Sequence, residues 1–360
     1  MHMKRLRLFI PFALLCLLFL FALGNRRGNL SLFPATGSGQ RLSATPELGQ
    51  APQLVLDESI TGPFTIVPAG TREGGLTVNP LEKQDSWAFF HTYYRPCEGI
   101  PVGWTGAHAT CNEGSTGETF RAAVLQRINY FRAMAGVPAD ITFNEELNQK
   151  AQKAALMLSV NGLLSHTPDE SWRCYSLDGA KGARSSNLYL EAHSCEAIDG
   201  YMQDAGSNNA HVPHRRWLLN PRTMTMGIGD IPAVSGYPAA NVLWVFGSAS
   251  AERPKTRDHF FAWPPPGYVP YVVVYPRWSF SYEDADFAQA SVSMAHEGNE
   301  VPLTLLPVAD GYGENTIVWE PQIAWGQPSK DEWYTVRVRN VEMRGVVYHF
   351  TYVVILFDPY

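Results

Sequence analysis

The sequence predicts an α+β chain, in which a layered domain of helices and strands is followed by an all-β sandwich of immunoglobulin-like size. Three observations predict it. Apolar residues recur at helical period over 120–135 and again over 147–158. The period then changes, and MGIGD and NVLWVFG read as strands with Gly-bounded ends. From Tyr271 onward no helical stripe returns, and short runs of strand formers alternate with turns. Helices first and strands after, with little alternation, favour a layer sandwich over a parallel doubly wound sheet.

The first helix carries Phe120, Val124, Ile128, Phe131 and Ala135 on one face. Ser115 or Thr116 is placed to cap it, and Gly136 with Pro138 ends it. The second starts at Asn144 as N-cap, with Glu145 and Glu146 in a first turn where acids suit the helix dipole. Leu147, Ala151, Ala154 and Leu158 line its buried face, and Gly162 stops it. A loop, LLSHTPDE, follows and contains His166; a third, weaker helix spans Cys195 to Asp204. Residues 209–221, NAHVPHRRWLLNP, then set two histidines three apart around a proline. Pro213 argues against a regular helix there. Trp217, Leu218 and Leu219 read as the apolar anchor of a strand, with Arg215 and Arg216 as solvated charge at its mouth.

Residues 251–270 read as a Pro-rich linker, stiffened by the triple proline at 264–266, with Phe260, Phe261, Trp263 and Tyr268 as glue between domains. Residues 271–360 form the β-sandwich, with runs at YVVVYPRWSF, ASVSMA, VPLTLL, NTIVWE, WYTVRVR and YHFTYVVILF. Val336 and Val338 alternate with Thr335, Arg337 and Arg339, the period of a half-buried strand. GYGENT at 311–316 reads as a turn. This region holds no cysteine, which excludes an antibody-type disulfide.

At 360 residues the chain exceeds one typical core. Its net charge of −6 offers no basic footprint for nucleic acid. Lys4, Arg5 and Arg7 precede an uncharged stretch, Leu8 to Leu23, so residues 1–24 read as a signal peptide or an uncleaved N-terminal anchor. Residues 25–59 form a flexible linker and 60–117 an irregular extension that packs on the domain behind it. Secretion, or display at the cell surface, places Cys97, Cys111, Cys174 and Cys195 in an oxidising compartment as two disulfides. Of the three possible pairings, Cys97–Cys111 and Cys174–Cys195 each close a short local loop and are favoured. A four-Cys zinc site is disfavoured because no C-x-x-C spacing occurs.

Residues 124–168 carry Asn129, Arg132, Gly136-Val137-Pro138, Leu147, Ala151 and His166 in an order and spacing that resembles the CAP superfamily, the cysteine-rich secretory, antigen 5 and pathogenesis-related-one proteins. HRRWLLNP, with MGIG after it, is similar to the family's second histidine motif in its bacterial form. The likeness spans residues 118–250. It implies a three-layer α-β-α sandwich with a cleft built on two histidines and two acids. His166 and His214 match the histidines, and Asp204 stands where many members have Glu. Ser186 replaces the second acid, and Asn187 matches the Asn that follows it. That departure weakens a divalent-cation site, which loses both an anion and a ligand.

The candidate cleft residues are therefore His166, His214, Asp204, Ser186 and Asn187, with His211 as a further candidate. His166 and His214 are the candidate metal ligands; with Asp204 and a water they would make a catalytic-type zinc arrangement. No G-x-S-x-G elbow accompanies them. The leading functional reading is an exported, non-enzymatic extracellular binding or interaction module. Its partner would be an extracellular or cell-envelope ligand: lipid, sterol, peptide or glycan. A metal-assisted hydrolase and a surface-adhesion protein with a vestigial cleft are the alternatives.

Overall fold

The computed structural model describes residues 75–360. The expected signal peptide or anchor (1–24), the flexible linker (25–59) and the first part of the irregular extension lie outside the described residues. Among the described residues no helix is long and apolar enough to cross a membrane.

A short helix α1 (Lys83–Phe89) runs on through a π turn and a 3-10 turn to Cys97. Helix α2 (Glu118–Ala135) follows. Its N-cap is Gly117, not Ser115 or Thr116, and Gly136 ends it in the left-handed region at φ 77°. After strand β1 (Thr142–Phe143) comes α3 (Glu145–Asn161), whose Asn144 side chain accepts from the Leu147 N–H as an N-cap should. The chain continues through α4 (Leu177–Arg184), β2 (Ser186–Leu190) and α5 (Ser194–Gln203). Then come α6 (Pro213–Leu218), β3 (Thr225–Ile231) and β4 (Ala240–Trp244).

These strands form one sheet in the order β1-β3-β4-β2, parallel only between β1 and β3. Alternate residues serve opposite faces. On β4, Val242 packs into a core with Ala151, Leu158 and Ala183 from α3 and α4, while Leu243 packs with Ile128 of α2 and Ile198 of α5. The result is a three-layer α-β-α sandwich. Close approach of α3 to the sheet demands glycine on β3: a Cβ at Gly229 would lie 2.3 Å from the Ala151 backbone.

The C-terminal region folds into two sheets built from β5 (Phe261–Trp263), β6 (Gly267–Pro270), β7 (Trp278–Tyr282), β8 (Ser291–His296), β9 (Asn299–Val301), β10 (Leu303–Leu305), β11 (Asn315–Pro321), β12 (Glu332–Met343) and β13 (Val346–Phe357). One sheet runs β10-β11-β7-β5 and the other β6-β13-β12-β8-β9. Their inner faces meet through pairs such as Phe280–Phe350, with ring centroids 4.9 Å apart, and Trp278–Tyr334 at 5.9 Å.

Three sequence expectations are overturned. First, residues 251–270 are not a free linker. Phe261–Trp263 and Gly267–Pro270 are strands, and the three prolines are buried. Arg257 caps α2 by donating to the Ala133 and Met134 carbonyls, and Trp263 meets Phe131 at 5.3 Å. One hydrophobic core therefore runs from α2 into the sandwich without a break. Second, NAHVPHRRWLLNP does not enter a strand. Pro213 occupies the first turn of α6, where its fixed φ suits a helix and its missing N–H is not needed.

Third, the disulfides are Cys97–Cys195 and Cys111–Cys174, not the local pairs. The packing of α5 against α2 brings Cys195 to Cys97, beside an ion pair in which Arg127 and Tyr94 hold Asp199. The bridges span sequence separations of 98 and 63 residues. Peptide mapping without reduction is expected to recover these two cross-links and no local pair. Cys97→Ala/Cys195→Ala should lower unfolding free energy by roughly 4 kcal/mol, through loop entropy regained by the unfolded chain. Recovery of a Cys97–Cys111 peptide would refute the pairing.

Candidate functional site

Asp204 organises the site. It follows α5 in a left-handed conformation at φ 54°, which Asp tolerates better than bulkier residues. Its side chain is 0% exposed. One carboxylate oxygen accepts from His214 Nδ1 at 2.7 Å; the other accepts from the backbone N–H groups of His214 (2.8 Å) and Arg215 (3.1 Å). Asp204 thus caps the N-terminus of α6 from ten residues upstream and fixes the His214 ring at the same time. The ring is held further by stacking on Tyr201, with centroids 5.6 Å apart. The Asn187 amide donates to the His214 carbonyl at 3.0 Å.

His166 arrives from the loop between α3 and α4. Its Nδ1 donates to the Ala183 carbonyl at 2.8 Å. Both histidines therefore carry their proton on Nδ1, and Nε2 is the remaining polar atom of each ring. Both line one cleft of about 480 Å³, walled by Leu164, Leu188, Leu190 and Tyr189. A second cavity of about 340 Å³ shares His166, Asn208, Asn209 and His214 with it and continues toward the β-sandwich. His211 lines this inner cavity, as do Ser186 and Asn187.

The candidate zinc arrangement does not fit these residues. Asp204 is a carboxylate that orients His214, with both oxygens engaged, so it is not a third ligand. Ser186, at the position of the second acid, donates its hydroxyl to the Gly182 carbonyl at 2.6 Å. Two imidazoles remain, where a catalytic zinc needs three protein ligands. Among the described residues no group of three or more His, Cys, Asp or Glu side chains converges to hold a metal.

Arg215 and Arg216 are also corrected. Each is 1% exposed rather than solvated. Arg215 donates to the carbonyls of Met202 and Arg277 and to the Ser279 hydroxyl. Arg216 donates to the carbonyls of Ala309 and Glu314. Burial pulls both down to about 10, which leaves them protonated at neutral pH. All of these partners except Met202 lie in the β-sandwich, so α6 is the clamp between the two halves of the molecule.

Several site residues carry no advance signal in the sequence. Tyr312 reaches His211 with ring centroids 4.4 Å apart, from a turn whose flanking Gly311 and Gly313 have φ of 87° and 82°. Arg184 and Phe246 line the inner cavity. Behind Tyr201 lies a buried polar chain: its hydroxyl donates to Asn241 Oδ1 at 2.7 Å, and the Asn241 amide donates to Asp230 Oδ1 at 2.8 Å. Asp230 Oδ1 also accepts from the Ser194 N–H, while Oδ2 is buried without a partner.

Two outcomes follow from this geometry. Asp204→Ala removes an acceptor for three N–H groups and should cost about 2–4 kcal/mol of stability. It should also abolish the preference of His214 for the Nδ1–H tautomer, read by ¹⁵N chemical shift; an unchanged tautomer would contradict the orienting role. Asp230 is pushed above its usual 3.8 by burial. An acid raised in the fold stabilises below its unfolded value, and that contribution is lost as pH rises through the folded value. Asp230→Asn keeps the Oδ1 acceptor and removes the buried charge. Its melting temperature should match wild type near pH ~4 and exceed it near pH ~8. A variant that melts lower than wild type at the alkaline pH would show that the charged form is stabilising.

Residues 125–246 match the family model of the cysteine-rich secretory protein family, CAP. No curated protein matches the chain. The matched segment begins within α2 and ends just after β4, so it takes in the helical layers, the sheet and both His166 and His214. The segment 125–246 is thus similar to the cysteine-rich secretory protein family, and α6 within it joins a C-terminal all-β region.

Proposed function

We propose that the chain is an exported binding module whose His166/His214 cleft holds a small extracellular or cell-envelope ligand with both polar and apolar parts. One observation carries the reading. Both imidazoles have Nδ1 tied down within the protein, so each offers one preset hydrogen-bonding atom to a cleft with apolar walls. Rigid presentation of few polar groups among apolar ones suits recognition. Turnover is less well supported, because the nearby Ser186 hydroxyl is already engaged and the donor set does not fit a catalytic metal. Two long-range disulfides suit an oxidising compartment, which supports export.

The test is extraction of the protein, purified from an oxidising compartment, with organic solvent and mass spectrometry of the extract. A small molecule should accompany the wild type. His166→Ala/His214→Ala removes both preset hydrogen-bonding atoms and should reduce its amount at least about tenfold. An extract with no such molecule, or with the same amount from both proteins, would overturn the reading.

A further inference from the structure

We propose that the inner half of the groove is an anion-binding subsite, completed by the β-sandwich, which takes the carboxylate or phosphate of a ligand whose apolar body lies in the outer cleft. The inference rests on the binding role proposed above and adds the chemistry of the bound group.

The charges that line the inner cavity are one-sided. Arg184 lines it with His166, His211 and His214, and no Asp or Glu does. Asp204 has both carboxylate oxygens engaged by α6 and lines the outer cleft, not the inner cavity. Arg184 stands exposed at the end of α4 and has no ion-pair or hydrogen-bond partner among the described residues. Behind the wall, Arg216 is hydrogen-bonded to carbonyls and to no carboxylate, although Asp310 and Asp204 are near enough to act on its charge. A positive cavity on a chain of net charge −6 is a local feature and not a consequence of overall composition.

A residue that lines the cavity also carries an unmet polar atom. Nε2 of His211 is buried with no hydrogen-bond partner, and buried polar groups are rarely left so. Burial, and then the charge of Arg216, hold this imidazole below its usual value, so it is neutral in the free protein. An anion beside it would favour its protonation and supply the missing partner. Tyr312 from the sandwich packs on the His211 ring and lies 5.6 Å from the Arg216 guanidinium, so it closes the far end. Trp217 and Phe246, in edge contact at 4.6 Å, give the cavity an apolar floor on which a carbon body can rest. Because the inner cavity shares four residues with the outer cleft, a single ligand can occupy both.

The experiment titrates the whole chain with inorganic phosphate, hexanoate and hexanamide at fixed ionic strength, following the histidine ring resonances. Hexanoate or phosphate should saturate, with His211 shifting toward the protonated form, and hexanamide should bind at least about tenfold more weakly than the better anion. Arg184→Gln, a surface change that spares the fold, should weaken the anions about tenfold and leave hexanamide unchanged. Tyr312→Ala should weaken hexanoate as well. Tighter binding of phosphate assigns a phosphorylated ligand, and tighter binding of hexanoate a carboxylate on an apolar body. Absence of saturation by either anion overturns the inference, as does an Arg184→Gln protein that binds anions like wild type. Equal binding of hexanoate and hexanamide, both lost in His214→Ala, would remove the anion subsite while leaving the binding role of the cleft intact.

Discussion

The Asp204 carboxylate sits where water does not reach, and three N–H groups and one buried helix end depend on it. A carboxylate in such a place is costly unless its lone pairs are filled. Here they are filled by the groups that define the site: the ring of His214 and the first free N–H groups of α6. Orphan donors at a helix start are normally met by the residue just before it. Val212, which holds that place with φ 47°, has no side-chain acceptor, so the cap is borrowed from the end of α5. Packing of α5 against α6 and the orientation of the cleft imidazole are thereby one interaction. The Asp204 carbonyl extends it further by accepting from Arg277 of the sandwich.

From that anchor α6 projects two buried guanidinium groups into the neighbouring sandwich. A buried arginine is tolerable when every donor finds an acceptor with good geometry. Backbone carbonyls of residues 277, 309 and 314 provide the acceptors, and they can do so only if the sandwich is docked. The continuous apolar core from Phe131 to Trp263 makes separation of the two halves unfavourable for a second, independent reason. The inner cavity inherits its shape from this docking, since Tyr312 comes from one half and His211 from the other.

The fold was legible wherever one segment decides its own structure. Helix α3 announces itself through Asn144, its two first-turn acids, its apolar stripe and Gly162, and it runs Glu145–Asn161. Most of the β runs were equally plain, because period-two patterning is local, although Tyr271–Val273 in the first run is a 3-10 turn and the strand begins only at Trp278. What escaped was decided at a distance. Helix α6 is six residues long, too short to show a period, and it starts from a proline that reads as a breaker when its cap lies ten residues away. The burial of Arg215 and Arg216 depends on carbonyls 62 to 98 residues further on. The disulfides follow the packing of α5 on α2 rather than the shortest loops. At the site, motif order singled out His166 and His214, which line one cleft, but the hydrogen bonds that Asp204 makes were not readable. Sequence places an acid near a histidine; only geometry distinguishes an acid that joins the ring in binding from one that stands behind it.

That distinction changes the electrostatics of the cleft. With Ser186 in the second acid's position and its hydroxyl bonded to Gly182, and with Asp204 turned to α6, neither acid position presents a free carboxylate to the groove. The charge that remains on the inner wall is that of Arg184, and the buried Arg216 lies just behind. A divalent cation approaching such a wall meets repulsion and two imidazole nitrogens at most, whereas an anion meets a guanidinium. Replacing one carboxylate by serine therefore does more than delete a ligand. On the anion subsite proposed above, it also changes which sign of charge the groove favours.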